Sequence, residues 1–391
     1  MPLPAPELPE PAHADLDSML SRKFGKEIAN YFSGSPLNRV SFLRADHTFL
    51  STAFKHPSTS FLVFSNLQPL FKSPTELAYV SYKDVVPLTG EDPYMQTEDE
   101  MISTYNSSKF TPQLIFLGLD ERNKNGLLYK DHYKGAPYFA IDATPKGAIQ
   151  SAAEELAKNL QERGYHFGEA RMHMTLPAEE AAIYAEARHL LDWNARNPFC
   201  AQCGNPTLSR YSLRPHRAAP CATRTGISNL SFPRTDPTVI MAVVSPDGQR
   251  ILLGRQKRWP PHWYSTLAGF LEPAESVEEA VRREVWEESG IFLGRVVIHS
   301  TQPWPYPANL MIGAIGQAIP EGETVHLGHD AELEDARWFS VEEVREALRV
   351  GTSGLGDEAG PEYKEGAETP AEDGDCESAY DGCGEWVFGW G

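Results

Sequence analysis

The sequence has few cysteines and little positive charge. Its 391 residues include 5 cysteines, an odd number that falls into two groups, and this pattern does not match the disulfide framework of a secreted protein. A reducing compartment is therefore expected. The formal net charge of −19 opposes non-specific binding to nucleic acids or anionic membranes, although a local basic patch remains compatible with it. An anionic substrate would need metal ions to neutralise its charge.

Long apolar runs are also missing. No stretch approaches the length of a membrane span, and the N-terminus lacks the positive region and the apolar run of a signal peptide. The final residues, Gly389-Trp-Gly391, do not form a peroxisomal signal of the Ser-Lys-Leu type. We therefore expect an intracellular protein without a membrane partner.

Changes in composition divide the chain into five predicted segments. A Pro-rich opening over 1–15 is expected to be a mobile arm, and short apolar runs bounded by turn residues predict an N-terminal α+β domain over 16–175. A helix leads into a block with three cysteines over 176–233. Alternating β-rich and helical stretches predict an α/β domain over 234–350. Residues 351–391 are acidic with scarcely any aliphatic side chains, which predicts a disordered tail.

The stretch GFLEPAESVEEAVRREVWEESGI, residues 269–291, contains signals for both ends of a helix. Ser276 and Glu279 form a capping box, and Gly290 is a helix terminator, so we predict a helix over 277–289. Four side chains are expected to form its apolar stripe: Ala280, Val281, Val285 and Trp286.

Three glutamates of this helix share one face. Glu284, Glu287 and Glu288 lie at positions i, i+3 and i+4, within reach of a common point. Like charges this close repel one another unless solvent screens them or a cation lies between them, and oxygen ligands favour Mg²⁺ or Mn²⁺. The two interpretations are thus a divalent-metal site and an exposed acidic helix face.

The whole stretch resembles the Nudix box, which it matches at every specified position: Gly269, Glu275, Arg283, Glu284, Glu287, Glu288, Gly290 and Ile291. The resemblance implies a Nudix α/β/α sandwich with a mixed sheet, and a metal-dependent hydrolase that cleaves a pyrophosphate. The three glutamates would then hold ions that neutralise charge and lower the pKa of an attacking water. Glu275 and Arg283 would have a structural role, while Gly269 and Gly290 allow the tight backbone at each end.

A further acidic residue is expected from a later strand. The segment His329-Asp-Ala-Glu-Leu-Glu-Asp-Ala-Arg-Trp-Phe339 resembles that region of Nudix domains. Glu332 is the predicted ligand or base, and Glu334 is the alternative.

Substrate choice is indicated by Ser300-Thr-Gln-Pro-Trp-Pro-Tyr-Pro307, which resembles the element that marks NADH pyrophosphatases, with Thr301 inserted. Its three prolines make the segment stiff, and rigid aromatic surface suits a flat base or nicotinamide ring. The resemblance predicts substrate contacts from five side chains: Phe232, Phe270, Gln302, Trp304 and Tyr306. Alternatively, the aromatic side chains pack into the core.

The segment Phe199-Cys-Ala-Gln-Cys-Gly204 has the spacing of a zinc-knuckle turn, in which two thiolates bind one ion. Cys200, Cys203 and Cys221 are the predicted ligands of a structural Zn²⁺ in a zinc-ribbon-like module. The fourth cysteine of the subfamily is missing, so either His216 completes the site or the metal has been lost and the thiols are free. The closing turn and helix of the subfamily are not found either.

The expected reaction is hydrolysis of NADH or NAD⁺ to nicotinamide mononucleotide and AMP. The same chemistry allows removal of an NAD cap from the 5′ end of RNA. Two alternatives stay open: a Nudix pyrophosphatase for ADP-ribose or diadenosine polyphosphates, and a degenerate dinucleotide-binding module without catalysis. The resemblance also implies a homodimer, located in the cytoplasm or in peroxisomes.

Overall fold

The computed structural model describes residues 6–11, 18–96, 100, 111–168, 175–199, 207–210, 214–218, 233–259, 262–329 and 332–350. They form two compact units. The N-terminal unit comprises Tyr31–Thr235 and Pro303–Ala308, and the C-terminal unit comprises Met1–Asn30, Asp236–Gln302 and Asn309–Gly391, each as far as it is described. Of the predicted arm only 6–11 is described, and the predicted acidic tail over 351–391 lies outside the described residues.

The described helices are α1 Met19–Phe24, α2 His47–Lys55, α3 Tyr82–Thr89, α4 Gln150–Glu162, α5 Ala178–Arg196, α6 Val277–Ser289 and α7 Val341–Val350. Two short 3-10 helices cover Ser41–Ala45 and Gly147–Ile149. The strands of the N-terminal unit are β1 Ser60–Ser65, β2 Gln68–Ser73, β3 Glu76–Leu77, β4 Tyr79–Val80, β5 Leu114–Asp120, β6 Leu127–Tyr129, β7 Tyr133–Asp142, β8 His166–Phe167, β9 Thr207–Arg210 and β10 Arg214–Ala218. Those of the C-terminal unit are β11 Asp236–Val244, β12 Arg250–Gln256, β13 Leu267–Phe270, β14 Leu293–Trp304, β15 Asn309–Ala318 and β16 Leu333–Ser340, and the last two residues of β14 belong to the N-terminal unit.

The N-terminal unit is built around an eight-stranded mixed sheet. Five strands follow the order β3-β2-β1-β7-β5, while β4 pairs with β1, β6 with β7 and β8 with β2. β1 and β7 are parallel, with Phe61 opposite Phe139, and the remaining pairs are antiparallel. β1 lies in the middle of this sheet, and its run of buried residues shows that both of its faces are covered.

Alternation along β1 divides the apolar side chains of this unit between the two faces of the sheet. Phe61 and Val63 belong to one buried cluster, which also contains side chains of α2, α3 and α4. Leu62 and Phe64 belong to the other cluster, together with Tyr184 and its neighbours on α5. The predicted α+β domain is therefore a mixed sheet with helices on both faces.

A buried ion pair fixes α5 within the N-terminal unit. Arg44 donates from Nη2 to Glu186 Oε1 at 3.0 Å, and from Nε and Nη2 to the carbonyl oxygens of Phe116 and Leu117. The Glu186 side chain is 1% exposed, and burial raises the pKa of its carboxyl while Arg39 and Arg44 oppose that rise. The pair thus ties α5 to the edge of β5.

The C-terminal unit contains a six-stranded mixed sheet in the order β14-β15-β11-β12-β16, with β13 paired to β11. β11 and β15 run parallel from Asp236 opposite Asn309 to Val244 opposite Gln317, and the pairs β11–β12, β11–β13 and β12–β16 are antiparallel. The helix α6 packs on this sheet through Ala280, Val281 and Val285, which share a buried cluster with β11. The expected α/β class with a mixed sheet is confirmed.

The cysteine block is described only in part. β9 and β10 form an antiparallel hairpin within it. Cys200, Cys203 and Cys221 lie outside the described residues, so the zinc site stays a prediction. In the part of the chain that the structure describes, no helix has both the length and the apolar character needed to cross a membrane.

Candidate active site

The predicted carboxylate helix is present as α6, Val277–Ser289. Its N-terminus is closed by the capping box: Ser276 Oγ accepts from Glu279 N at 3.3 Å, and Glu279 Oε2 accepts from Ser276 N at 2.8 Å. At the other end Gly290 has φ +72°, and its N–H donates to the carbonyl of Trp286 at 2.8 Å. A residue with a Cβ is strained at this φ, which explains the glycine.

One side chain of the predicted apolar stripe is not buried. Ala280, Val281 and Val285 are fully buried, whereas Trp286 is 37% exposed. Its ring stacks on His329 with centroids 4.2 Å apart and an interplanar angle of 26°. The expectation that Trp286 joins the core was therefore wrong, because the ring lies at the border of the stripe and finds its partner in a distant loop.

Arg283 is the centre of the ionic network on α6. Its Nε and Nη2 donate to the two oxygens of Glu275 at 2.7 and 2.8 Å, and Nη2 also donates to the carbonyl of Phe270 at 2.9 Å. Its Nη1 donates to Glu284 at 2.8 Å and to Glu287 at 3.0 Å. Hydrogen bonding to Glu275 raises the pKa of Arg283, and the guanidinium in turn lowers the pKa of Glu275. This bidentate pair supports the structural role predicted for both residues.

Glu284 is more enclosed than Glu287, the other carboxylate that accepts from Arg283 Nη1. Its side chain is 14% exposed, and burial raises the pKa of its carboxyl, to which the charges of Glu287 and Glu332 add while Arg283 opposes them. A Cβ at Gly269, on β13, would come within 2.0 Å of Glu284 Cδ. The carboxylate therefore occupies the space that any other residue at Gly269 would fill.

The remaining predicted ligands differ in exposure. The Glu287 side chain is 37% exposed, Glu288 is buried, and Glu332 is exposed. Glu334, the alternative to Glu332, forms an ion pair with Arg255 at 2.8 Å. The charge of Glu332 contributes to the raised pKa of Glu284, and the choice between Glu332 and Glu334 as the additional acidic residue stays a prediction.

The donor set matches the chemistry of a hard divalent cation, because every candidate ligand is a carboxylate and the enclosed Glu284 faces two further negative charges. Within the described ranges, no group of three or more His, Cys, Asp or Glu side chains has the geometry of a metal site. Arg283 supplies the positive charge between Glu284 and Glu287 instead. The residues present thus match Mg²⁺ or Mn²⁺ in the type of donor atom, whereas their positions in the described part of the chain do not form a metal-binding group.

The predicted substrate residues lie in different surroundings. Phe270 is 56% exposed, Gln302 is buried, and Phe232 lies outside the described residues. Trp304 and Tyr306 are half-buried in the N-terminal unit, with their ring centroids 5.3 Å apart. Their role in substrate binding stays a prediction.

Sequence reasoning missed the residues that hold the two aromatic side chains. The Phe32 ring lies 5.8 Å from Trp304 and 6.2 Å from Tyr306, and the Arg188 guanidinium lies 5.0 Å from the Tyr306 ring. Arg188 also donates to the carbonyl of Pro305. Burial raises the pKa of Tyr306 to about 12. No local signal connects Phe32 or Arg188 with residues so distant along the chain.

The mixed sheet of the C-terminal unit and its braced acidic helix define a Nudix domain, and the family model described as NUDIX domain matches residues 234–354. A second model, NADH pyrophosphatase-like rudimentary NUDIX domain, matches residues 58–193. The N-terminal unit is thus related to the catalytic fold, which the sequence had indicated only as an α+β domain.

Curated relatives extend the match over most of the chain. The NAD-capped RNA hydrolase of Schizosaccharomyces pombe is 37% identical over 333 residues, which are 82% of this chain and 85% of the relative. The NAD-capped RNA hydrolase NUDT12 of Homo sapiens is 37% identical over 358 residues, which are 83% of this chain and 69% of the relative. The mitochondrial NAD(P)H pyrophosphatase NUDT13 of Mus musculus is 34% identical over 54% of this chain and 58% of its own length. The chain therefore belongs to the NADH pyrophosphatase subfamily of the Nudix hydrolases.

Proposed function

We propose that the chain hydrolyses the pyrophosphate bond of NADH and NAD⁺ to nicotinamide mononucleotide and AMP, and removes NAD caps from RNA. The observation that carries the proposal is the braced carboxylate cluster of α6, in which Arg283 holds Glu284 and Glu287 on the face predicted to bind metal. The names of the relatives support the substrate, since they act on NAD-capped RNA or on NAD(P)H.

We further propose that Glu284, Glu287, Glu288 and Glu332 hold Mg²⁺ or Mn²⁺. When bound, such ions neutralise the phosphate charges and lower the pKa of a coordinated water. Arg283 keeps the helix carboxylates in place, since its Glu275 pair fixes the guanidinium on one side. Glu332 is exposed, which leaves it accessible to take the proton of the attacking water.

In the proposed hydrolysis one P–O bond of the pyrophosphate breaks and one P–O bond to the water oxygen forms. The oxygen of water attacks one phosphorus atom of the pyrophosphate, and the bridging oxygen leaves with the other phosphate. One product is AMP and the other is nicotinamide mononucleotide. In capped RNA the same cleavage leaves a 5′-monophosphate on the RNA.

Substrate recognition is proposed for the aromatic side chains. The exposed ring of Phe270 sits one residue after Gly269, next to Glu284, and offers a face on which a base can stack. Phe232, Gln302, Trp304 and Tyr306 remain the further predicted contacts. The structural zinc on Cys200, Cys203 and Cys221, the homodimer and the cytoplasmic or peroxisomal location likewise stay predictions.

Product analysis tests the function. Purified chain is incubated with Mg²⁺ or Mn²⁺ and with NADH, NAD⁺, ADP-ribose, diadenosine polyphosphates or NAD-capped RNA, and AMP release and cap loss are measured. We expect turnover of NADH or NAD⁺ and of capped RNA, and a loss of about 100-fold in Glu287→Gln because the substitution removes a carboxylate proposed to hold the divalent ion. Glu278→Gln makes the same change in the first turn of α6 and should leave turnover near that of the wild type.

Two results would contradict the proposal. Preferred turnover of ADP-ribose or diadenosine polyphosphates would assign the chain to another Nudix activity. Equal, negligible turnover by wild type and Glu287→Gln with every substrate would indicate a dinucleotide-binding module without catalysis.

A further inference from the structure

The turn between β12 and β13 is basic in an acidic chain. From Gly248 to Leu271 the sequence contains four Arg or Lys residues and no Asp or Glu, whereas the whole chain carries a net charge of −19. Lys257 and Arg258 are exposed, and neither forms an ion pair with another residue that the structure describes. Their charge is therefore available to an anionic ligand.

Two tryptophans lie beside these charges. The Trp259 and Trp263 rings are half-buried, with centroids 6.2 Å apart and an interplanar angle of 78°. The backbone N–H of Trp259 donates to the carbonyl of Gln256 at 3.0 Å, which fixes the backbone on the incoming side of the turn. Cations interleaved with aromatic rings are the combination by which proteins bind single-stranded nucleic acid, since phosphates contact the cations and bases stack on the rings.

Hydrogen bonds fix the base of the turn. Gly254 N–H donates to the carbonyl of Ser265, and Ser265 N–H donates back to Gly254, both at 2.9 Å. On the outgoing side Tyr264 donates from its hydroxyl to Asp335, and the Arg337 guanidinium lies 5.0 Å from the Tyr264 ring. The turn is thus held by β16 as well as by its own strands.

Strand residues on both sides of the turn contact segments that carry predicted metal ligands. Arg255 pairs with Glu334 at 2.8 Å, and Glu334 lies two residues after Glu332. At the other end β13 places Gly269 against the Glu284 carboxylate. A nucleotide chain attached to a dinucleotide in that site therefore begins within the same unit as the basic turn.

We propose that Lys257, Arg258, Trp259 and Trp263 form a subsite for the RNA chain that follows an NAD cap. This inference rests on the proposed function. Free NADH has no phosphates beyond its pyrophosphate, whereas capped RNA continues through a phosphodiester from the adenosine. The subsite therefore adds affinity for capped RNA and none for the free dinucleotide.

Binding of a single-stranded NAD-capped RNA, labelled at its 3′ end, tests the subsite by fluorescence anisotropy. The full chain carries Glu287→Gln and is kept without added divalent metal, so that the RNA stays intact during the measurement. Adding Lys257→Gln/Arg258→Gln should weaken RNA binding and lower the slope of log affinity against log salt by about 1.4, which is the loss of two phosphate contacts to a single strand. When salt is raised from roughly 50 to 200 mM, the loss of RNA affinity should therefore be about sevenfold larger for the Glu287→Gln parent than for the variant with the two added substitutions.

Controls separate this effect from net charge and from folding. Lys124→Gln/Lys134→Gln removes two exposed positive charges from the N-terminal unit and should leave RNA affinity near that of the parent. Trp263→Leu should weaken RNA binding about tenfold through lost stacking. Trp263→Tyr keeps an aromatic face and should restore most of that affinity.

The outcomes distinguish the two proposals. Hydrolysis of NADH by the wild type decides the proposed function, whereas RNA binding by the paired variants decides the subsite. Equal RNA affinity and equal salt slopes with and without Lys257→Gln/Arg258→Gln would overturn the subsite. An equal loss of affinity for free NADH and for capped RNA would also overturn it, because the turn would then belong to the dinucleotide site.

Discussion

Replacing Gly269 by alanine is a direct test of how Glu284 is placed. An added Cβ would lie 2.0 Å from Glu284 Cδ and 2.3 Å from each carboxylate oxygen. Ordinary contact begins at 3.4 Å, so the carboxylate has to move by about 1.4 Å, and a displacement of about 1 Å in a catalytic group can cost about 100-fold in rate. We therefore expect kcat for NADH to fall by about 100-fold, which corresponds to about 2.7 kcal/mol of activation free energy.

The assay is steady-state AMP release at saturating Mg²⁺, combined with a double-mutant comparison. Since the crowded atoms belong to the end of a flexible side chain, the thermal unfolding temperature of Gly269→Ala should stay near that of the wild type. The double variant Gly269→Ala/Glu284→Ala should be no slower than Glu284→Ala alone, because both changes act through the same carboxylate. Wild-type turnover by Gly269→Ala would refute the reasoning, and so would a double variant much slower than Glu284→Ala.

Three further predictions concern the contributions of Arg283, Glu186 and Tyr306 to stability. Arg283→Lys keeps the charge but loses the bidentate contact to Glu275, so urea denaturation should show that the free energy of unfolding falls by about 1–2 kcal/mol. An unchanged free energy of unfolding would contradict the structural role of Arg283. Glu186→Ala leaves Arg44 buried without its partner, so the free energy of unfolding should fall by about 3–5 kcal/mol in the same assay. The control is Arg39→Ala, which removes a side chain that is 57% exposed and should lower the free energy of unfolding by no more than about 1 kcal/mol. Burial raises the pKa of Tyr306 to about 12, so the folded state keeps the phenolic proton at pH values where the unfolded chain, with a pKa near 10, has lost it. The free energy of unfolding should therefore fall by at most about 2.7 kcal/mol as the pH rises from about 10 to about 12. Denaturation curves of Tyr306→Phe should show a smaller fall over that range, and an equal fall would show that Tyr306 does not cause it.

Local signals explain why α6 was predictable. Ser276, Glu279 and Gly290 act on backbone groups within a few residues of themselves, so the bounds of α6 follow from the sequence. The spacing of Glu284 and Glu287 likewise places both on one face, where each accepts a hydrogen bond from Arg283.

Long-range contacts explain what was not predictable. The parallel pairing of Asp236 with Asn309 joins segments separated by the whole of α6, and no local pattern specifies it. Helical periodicity assigned Trp286 to the core because it carries no information about His329, on which the ring stacks. The closure of the basic turn by Gly254 and Ser265 likewise joins residues that no local pattern pairs.

The path of the chain limits how the protein can be dissected. Residues 303–308 belong to the N-terminal unit although the segments before and after them belong to the C-terminal unit. A fragment cut at the boundary of the matched Nudix domain would keep Trp304 and Tyr306 but lose Phe32 and Tyr184, and so expose aromatic surface to water. Aggregation of such a fragment would reflect this missing support and would say nothing about the catalytic machinery, so activity is best judged on the full-length chain.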